Sequence, residues 1–172
     1  MKKLLLVAVM TSLALGAQAQ QGAKEESVPV QIAKGSGIKK CLAAVKHLSD
    51  TLLKGRAHTA NCEYVAAAPD TSVFSCEAEA KWPGGDSEYI AFSLTPSAKG
   101  PCMGEYTRVA RYDKDCRTVR ESEFFSDYDK RDGPDDLMRI RKTGGSGTIH
   151  LMAVAGGCTV IRREAINGNW LK

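Results

Sequence analysis

The sequence predicts an α+β fold: one N-terminal amphipathic helix packed on a mostly antiparallel, disulfide-stapled sheet. Three observations predict it. Apolar residues recur every three or four positions through residues 36–55. Past Gly55 the rhythm changes to alternation, and short alternating runs are separated by Gly, Pro and Asp turns. Six cysteines, an even number, follow a segment with the layout of an export signal. A small β-barrel with an added helix satisfies the same pattern and is the alternative.

The chain opens Met1-Lys2-Lys3, continues from Leu4 to Leu15 without a charge, and reaches small residues at Ala17 and Ala19. Basic, apolar and small-residue parts in that order describe a secretory signal peptide cut after Ala19. The apolar run is about a dozen residues, short of the roughly twenty needed to span a bilayer, and no stable membrane span is expected. The first cysteine is Cys41, far from the cut, so a lipid anchor on a new N-terminal cysteine is not expected. The domain layout read from this is 1–19 signal peptide, 20–35 flexible lead-in and 36–172 one globular domain. The expected location is the periplasm, with release outside the cell as the alternative.

Within the lead-in, residues 28–32 suggest a short extended piece. The helix is expected over residues 36–55, with Ile38, Cys41, Leu42, Val45, Leu48, Leu52 and Leu53 as its apolar stripe, Ser36 as its cap and Gly55 as its stop. A strand is expected over 62–67, turning at Pro69-Asp70. "VFSCEAEAKW" alternates Phe74, Cys76, Ala78, Ala80 and Trp82 against Ser75, Glu77, Glu79 and Lys81. It turns at Pro83-Gly84-Gly85-Asp86 and returns as "EYIAFSLT". Residues 103–112 and 116–125 read as exposed strands around Asp113-Lys114-Asp115. Residues 132–145 read as a short helix, with "LMRIRK" equally able to alternate as a strand. "TIHLMAVA" and "CTVIRREAI" form a last hairpin around Gly156-Gly157. The sheet therefore has six or seven strands.

Disulfide expectations follow spacing. Cys62 and Cys76 flank the Pro69-Asp70 turn and are expected to pair across a hairpin. Cys102 with Cys116, at the same separation, and Cys41 with Cys158 complete the set.

The formal net charge is +4, and two of the lysines leave with the signal. Such a mixed surface does not point to nucleic acid. The distribution is uneven, for nine of the ten arginines lie after residue 100.

Reactive constellations are sparse. Cysteines more than ten residues apart, with no C-x-x-C, support neither a redox pair nor a zinc cluster. The Gly144-Gly145-Ser146-Gly147 run lacks the G-x-S-x-G order of a nucleophile elbow. His47, His58 and His150 have no metal-ligand spacing. "SDYDKRDGPDD" begins like a calcium loop, but Arg131 stands at the third ligand position and Met138 where a bidentate Glu belongs. Glu121 and Glu123, candidates for acid–base work on glycans, are interleaved with Arg117 and Arg120, which is the pattern of surface ion pairs. No cofactor is called for and no catalytic residue stands out.

What remains is arginine with aromatic neighbours, the residue types that anchor protein interfaces. Arg108, Tyr106, Arg111, Arg120 and Trp82 are the candidate binding residues. The expected function is a periplasmic binding module without catalysis, an inhibitor or immunity-type protein acting on a toxin or a cell-wall-acting enzyme. An envelope accessory protein docking on an anionic wall or lipid component is the second expectation, and a small Asp/Glu hydrolase the third.

Overall fold

The computed structural model describes residues 26–53, 55–82, 86–98, 100–122, 128–129, 137–142 and 147–166. The expected signal peptide, the Gly84-Gly85 hairpin tip, Gly144 to Ser146 and most of the acidic segment lie outside them.

Two helices stand where one was expected. α1 (Val28–Gly35) occupies the stretch read as extended, with Pro29 in its first turn. The proline ring presets φ there and gives up an N–H that has no helical partner anyway. Ser36 does not start the next helix; its hydroxyl donates to the Ile32 carbonyl at 2.7 Å and closes α1. Gly37, at φ +78°, then turns the chain. The amides of Lys39 and Lys40 donate to Asp70 Oδ1 at 2.7 and 2.8 Å. α2 (Leu42–Leu52) begins just after them. Its stripe is as expected: Val45, Leu48 and Leu52 are buried, and Ala44 and Ser49 join them.

The strands are β1 (His58–Glu63), β2 (Phe74–Lys81), β3 (Ser87–Thr95), β4 (Met103–Tyr112), β5 (Tyr128–Asp129), β6 (Leu137–Lys142), β7 (Thr148–Val154) and β8 (Gly157–Ile166). All pair antiparallel, in the order β1-β2-β3-β4-β8-β7-β6-β5. The sheet is open, with β1 and β5 as its edges, so the barrel alternative is not realised. It consists of two four-stranded meanders, β1–β4 and β5–β8, joined where β4 pairs with β8.

Two further assignments are corrected. Residues 116–120 form a short helix, α3 (Cys116–Arg120), and not a strand. Asp115 caps it, its carboxylate accepting from the Thr118 amide at 2.9 Å and from the Thr118 hydroxyl at 2.7 Å. Residues 137–142 form β6 and not a helix, because pairing with β7 satisfies their backbone groups along the whole run. β1 also starts four residues earlier than expected, and its connection to β2 is a wide loop from which Asp70 reaches the Lys39 and Lys40 amides.

One face of the sheet carries two apolar cores. α1 and α2 lie over β2 and β3 in the first, with Phe74, Ile90, Leu94, Val45, Leu48 and Leu52 at its centre. α3 covers the second, built from Val119, Ile140, Ile149, Leu151 and Val160. Each fully buried aliphatic side chain contributes about 2 kcal/mol. The opposite face has no covering layer among the described residues. Tyr89, Met103 and Met152 are exposed there.

Disulfides staple each half separately. Cys62–Cys76 joins directly opposed residues of β1 and β2, with Cα atoms 4.1 Å apart, as expected. The other two pairs differ from expectation: Cys41 bonds Cys102 and Cys116 bonds Cys158. Cys102 and Cys116 flank the ten residues of β4, which at about 3.3 Å each hold its ends some 30 Å apart. A disulfide needs Cα atoms within about 7 Å. Among the described residues no helix is long and apolar enough to cross a membrane.

Candidate functional site

The covered face changes character where the two meanders meet. Between the cores runs a charged seam. Arg108 of β4 stands directly opposite Arg162 of β8, an arrangement that is repulsive by itself. Two glutamates offset it, both almost fully buried: Glu88 is 2 % exposed and Glu164 3 %. Glu164 accepts from Arg162 Nε at 2.8 Å. Glu88 receives two arginines, one on each oxygen. Arg108 Nε donates to Oε1 at 2.5 Å and Arg56 Nη1 to Oε2 at 2.8 Å.

The two arginines on Glu88 are held differently. Arg56 Nε also donates to the Leu53 carbonyl at 3.1 Å, and its Nη2 to the Leu52 carbonyl. It therefore caps the C-terminal end of α2, where a cation meets the negative end of the helix dipole. The Trp82 ring covers its guanidinium at 4.2 Å. Arg108 is bonded through Nε alone; among the described residues nothing accepts from its two terminal nitrogens.

Arg108 lines a cleft of about 590 Å³, within the size range of small-ligand sites. Arg108 and Ala110 of β4 contribute to its lining, with Trp82 and Ser87 from the β2–β3 hairpin and Tyr112, Thr118 and Val119 from the end of β4 and α3. Asp86, Arg111, Asp113 and Lys114 add charge of both signs. Burial pushes the Tyr112 phenol above its usual pKa; the Glu88 charge adds to the effect and Arg108 opposes it. The Tyr112 hydroxyl is therefore a neutral hydrogen-bond donor at neutral pH.

Three of the five candidate residues come together here: Arg108, Arg111 and Trp82. Arg111 is exposed, with Nη2 3.2 Å from the Ala155 carbonyl. Tyr106 does not join them. It is 3 % exposed and packs in the first core, where burial drives its pKa well above the usual phenol value. Arg120 lies on α3 with Nη2 3.4 Å from Glu121 Oε1. Of the two glycan-chemistry candidates, Glu121 is exposed and Glu123 lies outside the described residues.

Sequence reasoning missed Glu88, Glu164 and Arg56. A signal for the glutamates existed. Glu88 has the parity of Ile90, Phe92 and Leu94, and Glu164 that of Val160 and Ile166, so each is an acid on an oily face. Such a group is retained when it is paired.

The remaining chemistry is structural. His58 Nδ1 bonds the Arg56 carbonyl at 2.7 Å and its Nε2 accepts from the Val28 amide at 3.2 Å, which ties the start of α1 to β1. All six cysteines are in disulfides. Among the described residues no cluster of three or more His, Cys, Asp or Glu could hold a metal ion. No protein-family model, curated protein or solved structure matches this chain.

Proposed function

We propose that this protein is an exported, disulfide-stabilised binding module that acts without turnover, by seating a partner protein on the cleft above Arg108. The partner is a toxin or a cell-wall-acting enzyme, met in the periplasm or outside the cell. The observation that carries the reading is the cleft itself: Trp82, Arg108 and Tyr112 are gathered around one concavity, and Trp, Tyr and Arg are the residues on which interface energy concentrates. Export is supported by the N-terminal layout and by three disulfides, which suit an oxidising compartment. Action without turnover is supported at the buried carboxylate behind Arg108, since both oxygens of Glu88 are taken by guanidinium groups. A general base needs a free lone pair aimed at substrate.

The test is capture by the tagged protein from periplasm and from competing cells, compared between the unaltered chain, Arg108→Ala and Trp82→Ala. Either change weakens the captured complex by more than about 1 kcal/mol, several-fold in Kd. Cleavage of peptidoglycan or of a model ester by the purified protein, abolished by a single carboxylate-to-amide change, would replace this reading with that of a hydrolase.

A further inference from the structure

We propose that the cleft is a carboxylate receptor. Arg108 offers its terminal nitrogens to one acidic side chain of the partner protein, and Glu88 is the positioning residue that aims them. The inference rests on the binding-module reading and specifies its chemistry.

A comparison of three neighbouring arginines leads to it. Arg56 places Nε, Nη1 and Nη2 on three different acceptors, a carboxylate and two carbonyls. Arg162 places Nε and Nη2 on Glu164 Oε1. Arg108 alone of the three is fixed through Nε with no described acceptor on Nη1 or Nη2, and it alone lines the cleft. A guanidinium anchored at Nε has lost its rotamer freedom before any ligand arrives. Its Nη1–Nη2 edge matches the two oxygens of a carboxylate, so less entropy is lost on binding.

Charge points the same way. Arg56 and Arg108 share one carboxylate, and their side chains are 7 % and 17 % exposed. The trio therefore holds one excess positive charge in a poorly solvated place, which a single anion offsets. Asp86 and Asp113 in the lining are balanced by Arg111 and Lys114, so the excess is the single positive charge of the trio, which a singly charged carboxylate matches better than a phosphate dianion. Trp82, Ala110 and Val119 give the methylene stem of a Glu or Asp an apolar wall.

The test uses the full-length exported protein, N-acetyl-glutamate amide as probe, its glutamine analogue as neutral control, and inorganic phosphate as the competing anion. Binding is read from the guanidinium ¹⁵N resonances of Arg108 and the indole resonance of Trp82. The glutamate probe moves both saturably at about 1–50 mM, as expected for a single contact, and the glutamine analogue moves neither. Arg108→Lys keeps a cation on Glu88 but loses the fork, and weakens the probe at least fivefold. Glu88→Gln shifts the Arg108 Nε resonance and weakens the probe, whereas Ile90→Val, a core change two residues away, does neither. Equal binding of the glutamine analogue, tighter binding of phosphate, or an unchanged Arg108→Lys overturns the proposal. Two of these arms use the unaltered protein, so misfolding of a variant cannot hide the answer. If the probe fails while Arg108→Ala and Trp82→Ala still weaken partner capture, the carboxylate proposal alone falls; if capture is indifferent to both changes, the binding-module reading falls first.

Discussion

Replacing Glu88 by Gln tests whether the charged seam stabilises the fold. The change keeps the side-chain volume and removes one buried charge. Glu88 is 3 % exposed in its side chain and bonds Arg56 at 2.8 Å and Arg108 at 2.5 Å. An amide oxygen can serve one of them, while the amide NH₂ faces the other guanidinium with two donors opposed. Breaking a buried ion pair by removing one partner costs about 3–5 kcal/mol. Arg56 keeps its two carbonyl acceptors and Arg108 keeps partial solvent access, so the low end, about 3 kcal/mol, is expected. For a chain of this size that lowers Tm by roughly 6–12 °C, out of a total stability of about 5–15 kcal/mol. The assay is urea and thermal unfolding of the oxidised protein at pH 7. Glu105→Gln is the control, because Glu105 meets Arg163 at the surface with both side chains about half exposed; such a pair is worth less than about 1 kcal/mol. If Glu88→Gln costs no more than Glu105→Gln, the seam is not a stabilising element and the argument from its burial is wrong.

Two further outcomes follow from the same structure. Cys116–Cys158 closes a span of 42 residues and ties α3 to β8; the chain-entropy estimate for a loop of that length is about 4 kcal/mol. The Cys116→Ala, Cys158→Ala pair should therefore raise amide exchange in Cys116–Arg120 far more than in Leu42–Leu52, and equal effects would contradict the separate stapling of the two halves. Asp70 is held below the usual carboxylate range by the Lys40 and Lys39 amides. A depressed folded pKa gives stability that is fully present above the unfolded value of 3.8 and lost as pH falls through the folded value. Asp70→Asn should thus destabilise the protein at pH 7 and converge with the unaltered chain as pH falls well below 3.8, as read from urea midpoints; a gap that is constant with pH would contradict it.

The period-two runs of β2, β3 and β8 were legible in the sequence because each alternates over seven or more residues, and the apolar stripe of α2 because it repeats through three turns. The elements that were misread are those that long-range contacts decide. α1 forms where Val28 meets His58 and Ala33 meets the core; its eight residues are too short for a helix to be marked by periodicity alone. β6 exists because β7 offers its edge, and "LMRIRK" by itself satisfies either period. The disulfide of β1 and β2 followed from turn symmetry, but Cys41 and Cys158 find their partners through the sheet order, which spacing does not encode. Residue type singled out Arg108, Arg111 and Trp82, which the fold gathers around one cleft. Tyr106 reads as a surface residue in the sequence because its strand carries charge at neighbouring positions. The charge sharing its face belongs to the buried seam, and the tyrosine, opposite Glu164, is buried with it.

The central claim is that the partner sits in the cleft and not on the open face of the sheet. Hydroxyl-radical footprinting of the protein alone and in its captured complex separates the two. Trp82 and Tyr112 in the cleft are 40 % and 36 % exposed, and Tyr89, Met103 and Met152 on the open face are 42 %, 54 % and 40 % exposed, so all five are comparably open to labelling in the free protein. The account predicts protection of Trp82 and Tyr112 on binding, with Tyr89, Met103 and Met152 labelled as before. Protection of the open-face residues with Trp82 and Tyr112 unchanged would contradict it.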